Sequence, residues 1–209
     1  QYRGRNWNGE IHLYDMRSKQ IYVGLLDKIV QFCDNYGYSY KFEDNKFYGT
    51  PFEENNHISL EGVKDYMNSI CSHTPRKYQI EGVYGALKHN RKLLISPTAS
   101  GKSLMIYSLV RYYVDRGEKI LLVVPTTSLV EQMYKDFVDY GWDADSYCHR
   151  IYSGKEKSNE APVTITTWQS VYKLERSFFE DYGVIIGDEA HLFKSKSLIQ
   201  IMTKLHHAK

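Results

Sequence analysis

The chain has 209 residues, room for one large domain or for a small one followed by a medium one. Its apolar fraction of 42% is ordinary for a globular protein, and no run approaches the ~18 apolar residues of a membrane span, which argues against a helical membrane protein. The net charge of +2 hides an asymmetry: residues 1–72 carry eight Lys and Arg against ten Asp and Glu, residues 73–120 nine against three, and residues 121–209 ten against twelve.

The first elements read as a small α/β unit. Ile11 to Tyr14 alternates like a strand, and Leu25, Leu26, Ile29, Val30 and Cys33 recur at helical spacing before the stop signal Asn35-Tyr36-Gly37. Ser39 to Phe42 reads as a further strand, and residues 44–58 as a polar connector. Ser59 then caps a short helix with Leu60, Val63, Met67 and Ile70 on one face. The domain expected from this pattern spans residues 1–72.

From Thr74 the pattern changes to alternating helices and apolar strands. Thr74 with Pro75 predicts a helix start, continuing to about Lys88. Strands are expected at Leu93–Ser96, Ile120–Val124, Val163–Thr166 and Val184–Gly187, and helices at Lys102–Val114 and Ser128–Tyr140. Apolar strands separated by helices predict a parallel sheet covered by helices on both faces. The fold class expected is therefore α/β, with a small α/β domain before the sheet domain of residues 73–209. Neither an internal repeat nor a low-complexity tract is present.

Two strings carry chemistry. Ser96-Pro97-Thr98-Ala99-Ser100-Gly101-Lys102-Ser103 lies between an apolar run and a helical pattern, the setting in which backbone N–H groups and a lysine cradle nucleotide phosphates. Gly101 lets the backbone approach phosphate oxygens, Lys102 brings a positive charge, and Ser103 is a candidate Mg²⁺ ligand. The first position is Ser96 rather than the usual glycine. Asp188-Glu189-Ala190-His191 follows the apolar Val184-Ile185-Ile186-Gly187. Its carboxylates are expected at a buried strand end, Asp188 to hold Mg²⁺ and Glu189 to orient or deprotonate the attacking water. A phosphate loop with a strand-end acidic pair points to Mg²⁺-assisted hydrolysis of a nucleoside triphosphate. Arg76, Lys77, Lys88, Arg91 and Lys92 exceed what one nucleotide needs, which suits either a polyanionic partner or a solvated basic face.

Together these strings resemble the first RecA-like motor domain of superfamily 2 helicases and translocases, with the acidic string similar to the DEAH box. Arg76-Lys77-Tyr78-Gln79 resembles the glutamine motif that reads adenine; Val124-Pro125-Thr126-Thr127-Ser128-Leu129 resembles a motif that grips the DNA backbone; Thr166-Thr167-Trp168-Gln169-Ser170 resembles the next phosphate-contacting motif. The resemblance implies catalytic roles for Lys102, Asp188, Glu189 and His191. It implies nucleotide contacts from Arg76, Tyr78, Gln79 and the loop Pro97, Thr98, Ala99, Ser100, Gly101, Lys102 and Ser103. DNA contacts are implied for Thr126, Thr127, Thr166 and Thr167. The stretches Tyr2 to Gly9 and Phe32 to Tyr38 resemble the branched-DNA helicases of T-even bacteriophages. That implies action on forks, recombination junctions and R-loops (RNA–DNA hybrids), in the host cytoplasm if the protein is viral. The first domain would then be a DNA-binding accessory. Arg3, Arg5 and Trp7 are its candidate contacts, with a core-anchor role for Trp7 as the alternative.

Within the enzyme class, an RNA helicase or a restriction-type translocase shares these motifs; a non-catalytic nucleic-acid-binding adaptor is the reading from another class. Both chain ends read as cut. No Ser-Ala-Thr-like coupling motif follows His191, and no second motor domain with its arginine finger is present in these residues, so weak nucleotide binding and poor hydrolysis by the fragment alone are expected. A monomer is expected. Cys33, Cys71 and Cys148, odd in number and widely spaced, read as reduced thiols of a cytosolic protein.

Overall fold

The computed structural model describes residues 13–42, 54–152, 160–189, 191, 196–205 and 208–209, and the chain divides into two units, Gln1–Glu53 and Glu54–Lys209. In the first unit, β1 (Tyr14–Asp15) pairs antiparallel with β2 (Gln20–Ile21), and a 3-10 turn at Val23–Leu25 leads into α1 (Leu26–Tyr36). Residues Leu25, Leu26, Ile29, Val30 and Cys33, the stripe marked by spacing, are half-buried, as is Val23 before them. Gly37 terminates α1 with φ 71°, and its N–H bonds the Cys33 carbonyl, as glycine permits without steric cost. Ser39–Phe42 forms no strand, a correction to the spacing-based expectation. Arg3, Arg5, Trp7 and the start of the Ile11–Tyr14 run lie outside the described residues.

The second unit begins with α2 (Leu60–Ile70), capped where the sequence predicts: the Ser59 hydroxyl accepts the Gly62 N–H at 3.1 Å. Its buried Val63 and Met67, followed by buried Cys71, join the core of α3 (Lys77–His89) and α4 (Lys102–Val114). The Tyr107 hydroxyl also donates to the Ile70 carbonyl. Although the charge and pattern break at residue 72 grouped α2 with the N-terminal domain, its apolar stripe is covered by the second unit.

β3 (Ile120–Val124), β4 (Cys148–Ile151), β5 (Val163–Thr167) and β6 (Val184–Gly187) form a parallel sheet in the order β4-β5-β3-β6. The register aligns Ile120 with both Val163 and Val184. Period-two alternation sends Ile120, Leu122 and Val124 into a core with α2, α3, α4 and α5 (Thr127–Asp139). Leu121 and Val123 enter a second core with α7 (Trp168–Val171), α8 (Arg176–Glu180) and α9 (Lys196–Lys204). The remaining helix, α6 (Ala144–Tyr147), precedes β4. Helices thus cover both faces, as the sequence predicts.

The strand expected at Leu93–Ser96 is not formed. Among the described residues that run has no sheet partner, with Leu93 67% and Ile95 92% exposed. At the outer edge of β6 the Ile185 N–H donates to the Lys209 carbonyl at 3.0 Å, and the Lys209 N–H to the Gly183 carbonyl at 2.8 Å. Part of that edge is therefore paired to Lys209.

Candidate nucleotide site

Parallel sheets present ligand sites beyond the C-terminal strand ends. Here Pro125 after β3 and Asp188 after β6 lie side by side, because β3 and β6 are direct neighbours and the Asp188 N–H donates to the Val123 carbonyl at 2.9 Å. The Asp188 carboxylate then accepts the Glu189 N–H at 2.9 Å, fixing the turn that leaves the strand. Glu189 adopts φ 54°, a left-handed conformation costly for a residue with a Cβ.

The phosphate loop enters α4 through Gly101, which has φ 75°. A Cβ there would lie 2.4 Å from the Gln79 amide nitrogen, so only glycine fits the backbone and its neighbour together. Ala99 is also left-handed, φ 60°. α4 is buried nearly all round, through Leu104, Met105, Tyr107, Leu109 and Val110, which anchors the loop to the core.

Lys102 lies directly after that glycine. Its ammonium is 3.4 Å from a Glu189 carboxylate oxygen, and the His191 Nδ1 is 3.3 Å from the other oxygen. Both Lys102 and Glu189 are about one-third exposed, and His191 projects outward. Three of the four expected catalytic residues thus form one chain of polar contacts, with Asp188 holding the turn beside it.

The glutamine-motif residues lie on the opposite side of the loop. The Tyr78 hydroxyl donates to the Ser100 carbonyl at 2.6 Å, and an Arg76 N–H donates to the Tyr78 hydroxyl at 3.3 Å. The Gln79 amide nitrogen donates to the Ser100 and Gly101 carbonyls at 3.0 and 3.3 Å. Its oxygen accepts the Arg76 N–H at 2.8 Å, capping α3. This puts the N-cap at Arg76 and the helix start at Lys77, each two residues later than the Thr74 N-cap and Pro75 start expected from sequence. A cleft of about 480 Å³ opens between these elements, bordered by Arg76, Tyr78, Ile95, Pro97 and Thr98. Gln79 is buried behind the loop rather than on the cleft wall.

The donor set suits a nucleotide with a hard divalent cation: Lys102, the N-terminus of a 13-residue helix, and oxygen donors from Ser103, Asp188 and Glu189. Among the described residues no three His, Cys, Asp or Glu cluster as a metal site, so a cation here would rest on nucleotide phosphates and one or two protein oxygens. Ser103 makes a contact that its motif does not announce: its hydroxyl pairs with the Tyr140 hydroxyl at 2.8 Å. No spacing rule links positions 37 residues apart, so sequence reasoning missed Tyr140.

The candidate DNA contacts divide. Thr126, Thr127 and Ser128 are exposed at the start of α5, where Thr126 also caps the helix by accepting the Leu129 N–H. Thr166 is fully buried and donates its hydroxyl to the Ile151 carbonyl at 2.8 Å; Thr167 is buried and paired with Ser170 at 2.9 Å. Both threonines are buried within β5, which runs to Thr167, one residue beyond the strand end expected from sequence. Gln169 is the exposed residue of that motif.

A family model described as type III restriction enzyme, res subunit, matches residues 72–209. The chain belongs to that family. It is 34% identical over 218 residues to the ATP-dependent DNA helicase uvsW of Enterobacteria phage T4, covering 99% of this chain and 42% of the phage protein. The crystal structure of the UvsW helicase from bacteriophage T4 matches with a TM-score of 0.79 at 34% identity, over 97% of this chain and 73% of that one. The DNA 3'-5' translocase XPB2 of Sulfurisphaera tokodaii is 31% identical over 133 residues, 62% of this chain and 28% of the relative. The sheet domain is thus the RecA-like fold of superfamily 2 helicases, related to UvsW, and the chain spans under half the length of these two curated relatives.

Proposed function

We propose that the chain is the first motor lobe, with its accessory domain, of an ATP-dependent DNA helicase or translocase acting on branched DNA: forks, recombination junctions and RNA–DNA hybrids. The observation that carries this reading is the Lys102–Glu189 pair, formed across the sheet beside a loop whose carbonyls are held by Tyr78 and Gln79. Bound Mg²⁺-ATP supplies the phosphoryl group and the free energy. Lys102 neutralises phosphate charge, Glu189 orients water and takes its proton, and the neighbouring His191 holds the Glu189 carboxylate. Asp188 and Ser103 are the oxygens for the cation. The exposed hydroxyls and N–H groups at the start of α5 suit DNA phosphates, as does exposed Gln169 just past the end of the neighbouring strand β5. Arg3, Arg5 and Trp7 would grip a DNA arm. Turnover needs a second lobe with an arginine finger, so the chain alone binds nucleotide but hydrolyses it slowly, as a monomer in the host cytoplasm.

The test is fluorescent ATP-analogue binding by this chain, with DNA-stimulated ATPase in the longer protein that contains it. Branched DNA should stimulate more than linear duplex, and RNA least. Lys102→Ala should cut stimulated turnover about 10³-fold, the scale of losing one transition-state contact. Stimulation by RNA alone would favour an RNA helicase, and absence of nucleotide binding a non-catalytic adaptor.

A further inference from the structure

Ser103 lies one residue inside α4, and its hydroxyl is held from α5. The Tyr140 hydroxyl is 2.8 Å away, and the Ser103 hydroxyl partly offsets the upward push that burial gives the Asp136 carboxyl. Asp136 and Tyr140 are four residues apart, on one face at the C-terminal end of α5, and the Tyr140 N–H donates to the Asp136 carbonyl at 2.9 Å. The Tyr140 ring is clamped edge-on by His73, centroids 5.6 Å apart, and by Tyr107 at 5.1 Å, so its hydroxyl has a fixed position.

Donor counting orients the network. A serine hydroxyl has one proton and two lone pairs, and an ionised carboxylate only accepts. With Asp136 ionised, the Ser103 proton is directed to it, and Tyr140 then donates into one Ser103 lone pair. One lone pair remains, in a direction fixed by the other two bonds. A hydroxyl whose proton is held by a carboxylate is also a stronger oxygen donor, the usual effect of groups behind a metal ligand.

We infer that Asp136 and Tyr140 are positioning residues for Ser103, fixing its hydroxyl so that its single free lone pair serves the divalent cation bound with the nucleotide. This rests on the nucleotide-binding reading above. It extends that site to the far end of α5, whose N-terminus carries Thr126 and Thr127.

The experiment titrates Mg²⁺ against binding of a fluorescent ATP analogue to the intact chain, with EDTA as the metal-free reference. Tyr140→Phe keeps the ring between His73 and Tyr107 and removes only the hydroxyl; Asp136→Asn keeps the shape and removes the charge. Each should raise the Mg²⁺ midpoint roughly fivefold, the scale of one hydrogen bond, with EDTA binding unchanged. Ser103→Ala should raise it at least as far, and adding Tyr140→Phe to Ser103→Ala should do nothing more. An unchanged midpoint in both single variants overturns the inference, as does a parallel loss in EDTA, which would mark a packing role. Failure of the unaltered chain to bind the analogue even with Mg²⁺ would overturn the nucleotide reading, and this inference with it.

Discussion

Lys102 and Glu189 are 87 residues apart in the chain, yet an ammonium–carboxylate contact of 3.4 Å joins them. The contact arises because α4 leaves the phosphate loop on the side where β6 ends, and the Asp188–Glu189 turn brings the acidic side chain back over the loop. With both groups about one-third exposed, the pair adds little to stability. Its importance is that it sets charge spacing in the site.

Glu189→Gln should therefore separate binding from chemistry. It keeps the shape and lowers the negative charge facing incoming phosphates, so ATP affinity is expected to hold or rise. Turnover in the longer protein should be lost, since an amide cannot accept the proton from water. Binding titration and single-turnover hydrolysis on the same preparation read both effects; a folded variant that no longer binds ATP would assign Glu189 a different role.

Gly101→Ala should disrupt the loop twice over, through its left-handed φ and through the clash with Gln79. A cost of about 1–3 kcal/mol is expected from the backbone alone. Adding Gln79→Ala removes the clash but also the amide's three hydrogen bonds, so the double variant should lose less melting temperature than the two single losses added together.

Gln79→Ala is expected to weaken ATP and GTP binding by similar factors. The adenine-reading role implied by resemblance needs an amide on the cleft wall, whereas this amide is 5% exposed and spans the α3 cap and two loop carbonyls. Competition binding with the two nucleotides decides it; a loss confined to ATP would restore direct base recognition.

At high pH the fold should weaken through its buried phenols. Burial pushes Tyr113 up to about 12, with the neighbouring Tyr112 and Glu118 adding to the effect. A folded-state pKa above the unfolded value means stability present below pH ~10 and lost as pH rises toward 12. Tyr113→Phe should flatten that decline in a melting-temperature series from pH 9 to 12; an unchanged slope would place the alkaline sensitivity elsewhere.

The sequence by itself determined what depends on local rules. The apolar run Ile120–Val124 read as a strand covered on both faces, Ser59 and Gly37 marked helix ends, and the Gly101-Lys102-Ser103 and Asp188-Glu189 strings marked the candidate site. Those features depend on backbone periodicity, capping hydrogen bonds and turn sterics, which act over a few residues. The tertiary structure alone decided which surfaces met. α2 joined the second unit because its stripe is covered there, Leu93–Ser96 lacked a sheet partner, and Thr166 was buried by the Ile151 strand beside it. Gln79 turned inward to the loop, and Ser103 met Asp136 and Tyr140 across two helices. Such contacts depend on the packing of elements distant in sequence, where each polar group takes the partner that its burial requires, and no local pattern carries that information.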